Sequence, residues 1–214
     1  MAAPCELYLI SPLDVGGDFP ERLTAALEAG PVAAFQFRVK DVDQHEAARL
    51  AAPLLEICRE HDCAFIVNDS VALAKRLGAD GVHLGQGDGD PREAREELGK
   101  EAQIGVTCHN SRHLALEAGE MGADYVAFGA FFPSSTKDAK VQADLDILRW
   151  WSSMMEPPCV AIGGITIANV AEIIETGTDF IAVSGGVWNH PEGPASAVRE
   201  FLALMAKGRS GEAG

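Results

Sequence analysis

A single-domain α/β fold, a (β/α)8 TIM barrel with parallel strands, is what this sequence predicts, and three observations predict it. Eight short, β-rich apolar runs recur along the chain, helix-period segments separate them, and 214 residues is close to the lower size of a full eight-fold barrel. Such alternation marks parallel βαβ units rather than hairpins. The open doubly wound sheet is the alternative, but it more often uses about five or six strands. It is also disfavoured because no Gly-x-Gly-x-x-Gly follows the first strand, where residues 11–17 are too irregular for a dinucleotide fingerprint.

In chain order the predicted strands are Glu6–Ser11, Ala33–Arg38, Ala64–Asn68, Gly81–Leu84, Gln103–Cys108, Tyr125–Gly129, Cys159–Ile162 and Phe180–Ser184. The helical segments between and after them are Pro20–Glu28, Gln44–Glu60, Val71–Leu77, Arg92–Leu98, Ser111–Met121, Leu145–Met154, Ala168–Thr176 and Pro194–Ala206. Several end at glycine, as helix C-termini often do. The phrases Leu77-Gly78-Ala79-Asp80, Met121-Gly122-Ala123-Asp124 and Thr176-Gly177-Thr178-Asp179 each close a helix and open a strand. They behave as a weak internal repeat of roughly 50 residues, the length of two βα units. Residues 1–208 are expected to form the barrel, and residues 209–214 a flexible tail.

A hydrophobic fraction of 47% with 23% charged residues is ordinary for a globular domain, and no apolar run approaches the roughly 20 residues of a membrane helix. The net charge of −15, from 17 basic against 32 acidic residues, repels phosphate backbones and anionic membranes. Neither nucleic acid nor membrane is therefore an expected partner. Against that field, a local cluster of Arg38, Lys40 and Lys137 is informative. The five cysteines include no CxxC pair, and no signal peptide precedes Cys5, so a reducing cytoplasm with buried or bystander thiols is expected. Cys58-x₄-Cys63 lacks a second pair to complete a metal site.

Function in such a barrel sits at the C-terminal strand ends. Strand two ends Gln36-Phe37-Arg38-Val39-Lys40, and period-two alternation sends Gln36, Arg38 and Lys40 to one side. The bland alternative is a half-exposed edge with solvated charges. Strand three ends Asn68-Asp69, and strand four runs into Gln86-Gly87-Asp88-Gly89-Asp90. Carboxylates on neighbouring strand ends suit Mg²⁺, although Asp69 and Asp90 also stand where they could cap following helices. Capping is the expectation for Asp90 and metal ligation for Asp88. After strand six, Ser134-Ser135-Thr136-Lys137 supplies hydroxyls and a lysine able to surround phosphate oxygens. Gly163-Gly164-Ile165 and Ser184-Gly185-Gly186 match a barrel phosphate site made after strands seven and eight, where backbone N–H groups bind the anion. His83 and His113 are expected to be structural, and Trp150 and Trp151 to pack a helix on the barrel.

Taken together, Phe35-Gln36-Phe37-Arg38-Val39-Lys40-Asp41, Val67-Asn68-Asp69, Gly81-Val82-His83-Leu84-Gly85-Gln86-Gly87-Asp88, Ser134-Ser135-Thr136-Lys137, Gly163-Gly164-Ile165 and Val183-Ser184 resemble the thiamine phosphate synthase family along nearly the whole chain. The resemblance implies a transferase with a two-substrate site. Gln36 would recognise an aminopyrimidine; Arg38, Lys40, Asn68, Thr107 and Lys137 would hold its diphosphate, with Mg²⁺ on Asp69 and Asp88. Gly164, Val183 and Ser184 would bind a thiazole phosphate, with Ser134 and Thr136 touching it from the loop after strand six. The implied chemistry is dissociative: the bond to pyrophosphate breaks first, and the thiazole nitrogen captures a pyrimidine methylene cation. The chain departs from the family pattern at Thr107, where serine is common, at Ser134, where threonine is common, and at Gly185-Gly186, a pair expected to loosen the phosphate turn. Whether two copies form a homodimer stays open.

Two rival readings remain. The related thiazole tautomerase shares the barrel but needs a general base, a histidine after the glycine ending strand six, and here that residue is Ala130. A non-catalytic sensor of a phosphorylated thiamine precursor would need a partner to report to.

Overall fold

The computed structural model describes residues 5–133 and 142–210. Among them eight parallel strands close into a barrel in sequence order. The first half reads β1 (Glu6–Ile10), α1 (Phe19–Glu28), β2 (Ala34–Phe37), α2 (Gln44–Glu60), β3 (Ala64–Asn68), α3 (Val71–Leu77), β4 (Gly81–Leu84) and α4 (Pro91–Leu98). The second half reads β5 (Gln103–His109), α5 (Arg112–Glu120), β6 (Tyr125–Phe128), α6 (Leu145–Met154), β7 (Cys159–Ile162), α7 (Val170–Ile174), β8 (Phe180–Val183), α8 (Gly185–Trp188) and α9 (Pro194–Ser210).

Every predicted strand is present, and the differences lie at the ends. Strand two stops at Phe37 because the Arg38 amide leaves the ladder and donates to Ser11 Oγ at 2.8 Å. Strand five reaches His109 by way of a register shift between Thr107 and His109. Helix α7 is shorter than its periodicity predicts, because Asn169 Oδ1 accepts from the Thr166 amide and folds that stretch into a turn. Helix α9 runs past Ala206 to Ser210, through the first two residues of the expected tail, while residues 211–214 lie outside the described residues. The short helix α8, opened by Gly185-Gly186, was not expected as a helix.

Period-two alternation divides the strands between two cores. Leu7, Leu9, Phe35, Phe37, Phe65 and Val67 face outward and meet the helices, together with Trp151 and Phe201. Tyr8, Ile10, Ala34, Ile66, Tyr125, Ala127, Val160 and Ala182 fill the lumen. Gly105 makes room there, since a Cβ at that position would sit 2.0 Å from Tyr125 Cζ. Trp150 and Trp151 serve helix packing, Trp151 donating from Nε1 to the Pro157 carbonyl at 2.7 Å. Among the described residues, no helix is long and apolar enough to cross a membrane.

The internal repeat has a structural cause. Asp80, Asp124 and Asp179 each accept a hydrogen bond from a backbone amide of the preceding strand: Phe65 at 2.7 Å, Ile104 at 2.6 Å and Cys159 at 2.8 Å. These staples sit at the strand N-terminal ends, where barrel residues serve stability. Asp179→Ala leaves the amide of fully buried Cys159 without its charged acceptor. The expected loss is about 1.5–3 kcal/mol, or roughly 2–4 °C of Tm per kcal/mol, with turnover at low temperature unchanged. A calorimetric scan beside an activity assay checks both halves.

Candidate active site

The mouth of the barrel is assembled from the ends of β1 to β5. Ser11, only 1% exposed, is its first clamp. Its Oγ accepts from the Arg38 amide at 2.8 Å and donates to the Arg38 carbonyl at 3.0 Å, while its own carbonyl accepts from Ser184 Oγ at 3.4 Å. One serine therefore ties the basic segment after β2 to the turn after β8.

Asp69 follows β3 in the left-handed region, φ 65°, with its amide donating to the His83 carbonyl at 2.8 Å. Aspartate tolerates that conformation better than most residues. Burial, followed by the facing carboxylate of Asp88, raises the Asp69 carboxyl above its ordinary range, while the positive charges of Lys40 and Arg38 oppose the rise. Of the seven residues expected to handle a metal diphosphate, Asp88, Lys40 and Arg38 are thus close enough to Asp69 to act on its charge. Asp88 also accepts from the Gly85 amide at 2.8 Å, which folds the loop after β4 back on itself. Asp90 does what capping predicts: it accepts from the Arg92 amide at 2.8 Å at the start of α4, and its bonds to the Arg92 side chain hold its pKa low.

Two carboxylates pressed together cost stability when both are charged. The sign follows from the raised value. Stability is fully present below the unfolded pKa of Asp69 and is lost as pH rises through the higher folded pKa. In chelator at neutral pH, Asp69→Asn should therefore melt above the wild type, by roughly 2–4 °C per kcal/mol recovered, because asparagine keeps the left-handed backbone and removes the charge. The gap should close as the solution is acidified. A lower Tm for Asp69→Asn at neutral pH would contradict this electrostatic reading.

Gln36 lies inside the barrel, 4% exposed, and its Nε2 donates to Tyr8 Oη at 3.0 Å. The bond is one end of a file of lumen side chains: Tyr8 Oη meets Tyr125 Oη at 3.1 Å, Tyr125 Oη meets His83 Nδ1 at 3.1 Å, and His83 Nε2 meets Thr107 Oγ1 at 2.8 Å. Burial lowers the His83 pKa to about 4, so the imidazole is neutral and satisfied at both nitrogens, the structural role predicted for it. Burial pushes the Tyr8 phenol up to about 12. Gln86 Nε2 donates to the Thr107 carbonyl at 2.7 Å, joining this file to the Asp88 loop. His113, in contrast, is a surface residue beside Glu117 on α5, not a packed one.

On the opposite side of the mouth, Gly164 has φ 66°, and a Cβ there would lie 2.4 Å from the Phe132 carbonyl and 2.5 Å from that of Pro133. The glycine is required by the close approach of the segment leaving β6. Gly186 is similarly confined, since a Cβ there would lie 2.6 Å from the Ile165 carbonyl, whereas one at Gly185 would meet only the Asn189 side chain, at 3.3 Å. Helix α8 is pinned by Trp188, whose Nε1 donates to the Ile10 carbonyl at 2.6 Å. Val183 ends β8, paired beside Leu9 of β1. Ala130, where a tautomerase base is expected, packs beside Gly163, whose added Cβ would lie 2.3 Å from the Ala130 Cβ. Asn68 sits at the end of β3, next to Asp69. Ser134, Thr136 and Lys137 lie outside the described residues.

Sequence reading missed Ser11, Tyr8 and Tyr125. A signal for the last two was present, since they are the chain's 2 tyrosines and both occupy lumen-facing positions of apolar strands.

A family model described as thiamine monophosphate synthase matches residues 7–187. The chain is 67% identical over 207 residues to a thiamine-phosphate synthase of Erythrobacter litoralis (strain HTCC2594), covering 95% of this chain and 96% of the relative. It is 54% identical over 202 residues to the thiamine-phosphate synthase of Rhodospirillum centenum (strain ATCC 51521 / SW), covering 94% and 98%. Among solved structures, the thiamine phosphate pyrophosphorylase from Pyrococcus furiosus superposes with a TM-score of 0.83 at 33% identity, covering 95% of this chain and 96% of that one.

Proposed function

Because the chain belongs to the thiamine monophosphate synthase family, we propose that its barrel mouth joins an aminopyrimidine diphosphate to a thiazole phosphate and expels pyrophosphate, with Mg²⁺ held by Asp69 and Asp88. The chain is a transferase that makes thiamine phosphate. The observation carrying the proposed chemistry is that the Asp69 carboxyl feels Asp88, Lys40 and Arg38 together, in a molecule whose net charge is −15. A paired carboxylate site fits Mg²⁺, a hard ion that takes one or two carboxylates and completes its shell with phosphate oxygens and water. When bound, it neutralises charge that grows on the departing diphosphate.

The chain's own residues supply the rest. Arg38 and Lys40 counter the negative charge of the leaving group, with the Arg38 backbone held by Ser11 at both its amide and its carbonyl. Asn68, Thr107 and Lys137 add donors to the same anion, and Gln36 orients the aminopyrimidine. The thiazole phosphate rests on backbone N–H groups at Gly164 and at the opening of α8, beside Val183 and Ser184, with Ser134 and Thr136 as further hydroxyl contacts. Barrels commonly bind phosphate after strands seven and eight at the N-terminus of a short extra helix. No nucleophilic side chain is required, because departure of a stabilised anion leaves a cation for the thiazole nitrogen to capture. The setting proposed for this activity is the cytoplasm.

Positional isotope exchange tests the dissociative step. With ¹⁸O in the bridge between the methylene and the diphosphate, cleavage before capture moves label into non-bridging positions of recovered substrate. Label that stays in the bridge while product forms would instead point to direct displacement by the thiazole nitrogen.

A further inference from the structure

The five side chains Gln36, Tyr8, Tyr125, His83 and Thr107 come from β2, β1, β6, β4 and β5, and they cross the lumen in single file at 3.0, 3.1, 3.1 and 2.8 Å. Gln36, Tyr8, Tyr125 and His83 are buried, at 4, 3, 7 and 5% exposed. Every hydroxyl in the file has one proton, and a neutral imidazole donates from one nitrogen and accepts at the other. A phenol oxygen can accept from both neighbours, but one buried this deeply would then hold its own proton against no acceptor, so each phenol that accepts from one neighbour donates to the next and the whole file shares one direction. Only two orders satisfy all four bonds and also place both buried phenol protons. In the first, Gln36 donates to Tyr8, donation runs on through Tyr125 and His83, and Thr107 keeps its own proton for the mouth. In the second, Thr107 donates inward to His83, and Gln36 must accept from Tyr8 with its carbonyl oxygen, turning its amide nitrogen toward the ligand.

We propose that this file is a relay through which an anion bound at Thr107 sets which end of the Gln36 amide meets the pyrimidine ring. The inference rests on the substrate assignment made above. A diphosphate oxygen has no proton to give, so it takes the proton of Thr107 and selects the first order. Gln36 then offers its carbonyl oxygen, which accepts from an exocyclic amino group and opposes an oxo group at the same ring position. Tyr8 and Tyr125 are positioning residues in this scheme: they touch neither substrate but transmit the order of donation. The fold makes room for them, since Gly105 is the position at which a Cβ would lie 2.0 Å from the Tyr125 ring. Burial raises both phenol pKa values, so each ring keeps the single proton the relay requires.

Calorimetric titration tests the relay without turnover. The probes are the aminopyrimidine methanol and its oxo counterpart, neither carrying phosphate, each titrated with and without saturating magnesium pyrophosphate. In the wild type, bound pyrophosphate should raise the amino-to-oxo affinity ratio on the order of tenfold, within the usual range of coupling between two sites. Tyr125→Phe and Tyr8→Phe keep the rings and cut the file, so in each the ratio should be the same with and without pyrophosphate; if one variant fails to fold, the other carries the test. A wild-type ratio that pyrophosphate leaves unmoved, or coupling that survives in a folded Phe variant, overturns the relay alone. Failure of magnesium pyrophosphate to bind the wild type overturns the diphosphate assignment and the relay with it.

Discussion

Lys137→Ala is expected to lower the single-turnover rate by about 10²–10³, or roughly 3–4 kcal/mol, the usual cost of removing one preorganised group that stabilises developing charge. Lys137 follows Ser134-Ser135-Thr136 in a strongly acidic chain, and its proposed partner is the pyrophosphate whose charge grows as the bond breaks. The loss should appear in the chemical step with both substrates and Mg²⁺ saturating. Lys137→Gln restores length without charge and should recover little. An exposed lysine serving only solubility would give near-normal rates in both variants, with any residual effect disappearing at high salt. Near-normal rates in both would assign the charge stabilisation to Arg38 and Lys40 alone.

Removal of Mg²⁺ with a chelator should abolish turnover, and adding it back should restore turnover. Asp88→Asn should raise the Mg²⁺ concentration needed for half-maximal rate by at least about tenfold, since a diphosphate metal site has only one or two carboxylates to lose. Asp90→Asn is the internal control. Asp90 caps α4 through the Arg92 amide and stands two residues from Asp88. Asparagine caps nearly as well as aspartate, so this variant should leave the Mg²⁺ dependence unchanged. Equal metal dependence in the two variants would move the metal away from Asp88, and full activity in chelator would remove the metal from the reaction.

The barrel was legible because each strand is an apolar run bounded by helical periodicity, and burial of those runs leaves few topologies open. Less legible were the strand ends, where tertiary bonds decide: the Ser11 hydroxyl takes the Arg38 amide out of the ladder, and nothing local to Arg38 announces it. Helix α8 was hidden because it opens on Gly185-Gly186, which reads as a turn, and is held by Trp188 bonding to Ile10, 178 positions away. The carboxylate pair was readable from strand order, since Asp69 and Asp88 follow neighbouring strands β3 and β4. The lumen relay was not, because its Tyr8–Tyr125 link joins residues 117 apart and is specified only when the barrel closes. The aspartates of the repeat were visible as a pattern, while their purpose, accepting backbone amides of the preceding strand, emerged from the fold.

The central claim is that the barrel mouth couples two substrates, and product stoichiometry tests it most directly. Purified protein is incubated with aminopyrimidine diphosphate, thiazole phosphate and Mg²⁺, and all four species are quantified over time. The expected result is equimolar loss of both substrates, with one thiamine phosphate and one pyrophosphate formed per pair consumed. Isomerisation of the thiazole phosphate with the pyrimidine diphosphate untouched, or binding of both without turnover, would contradict it.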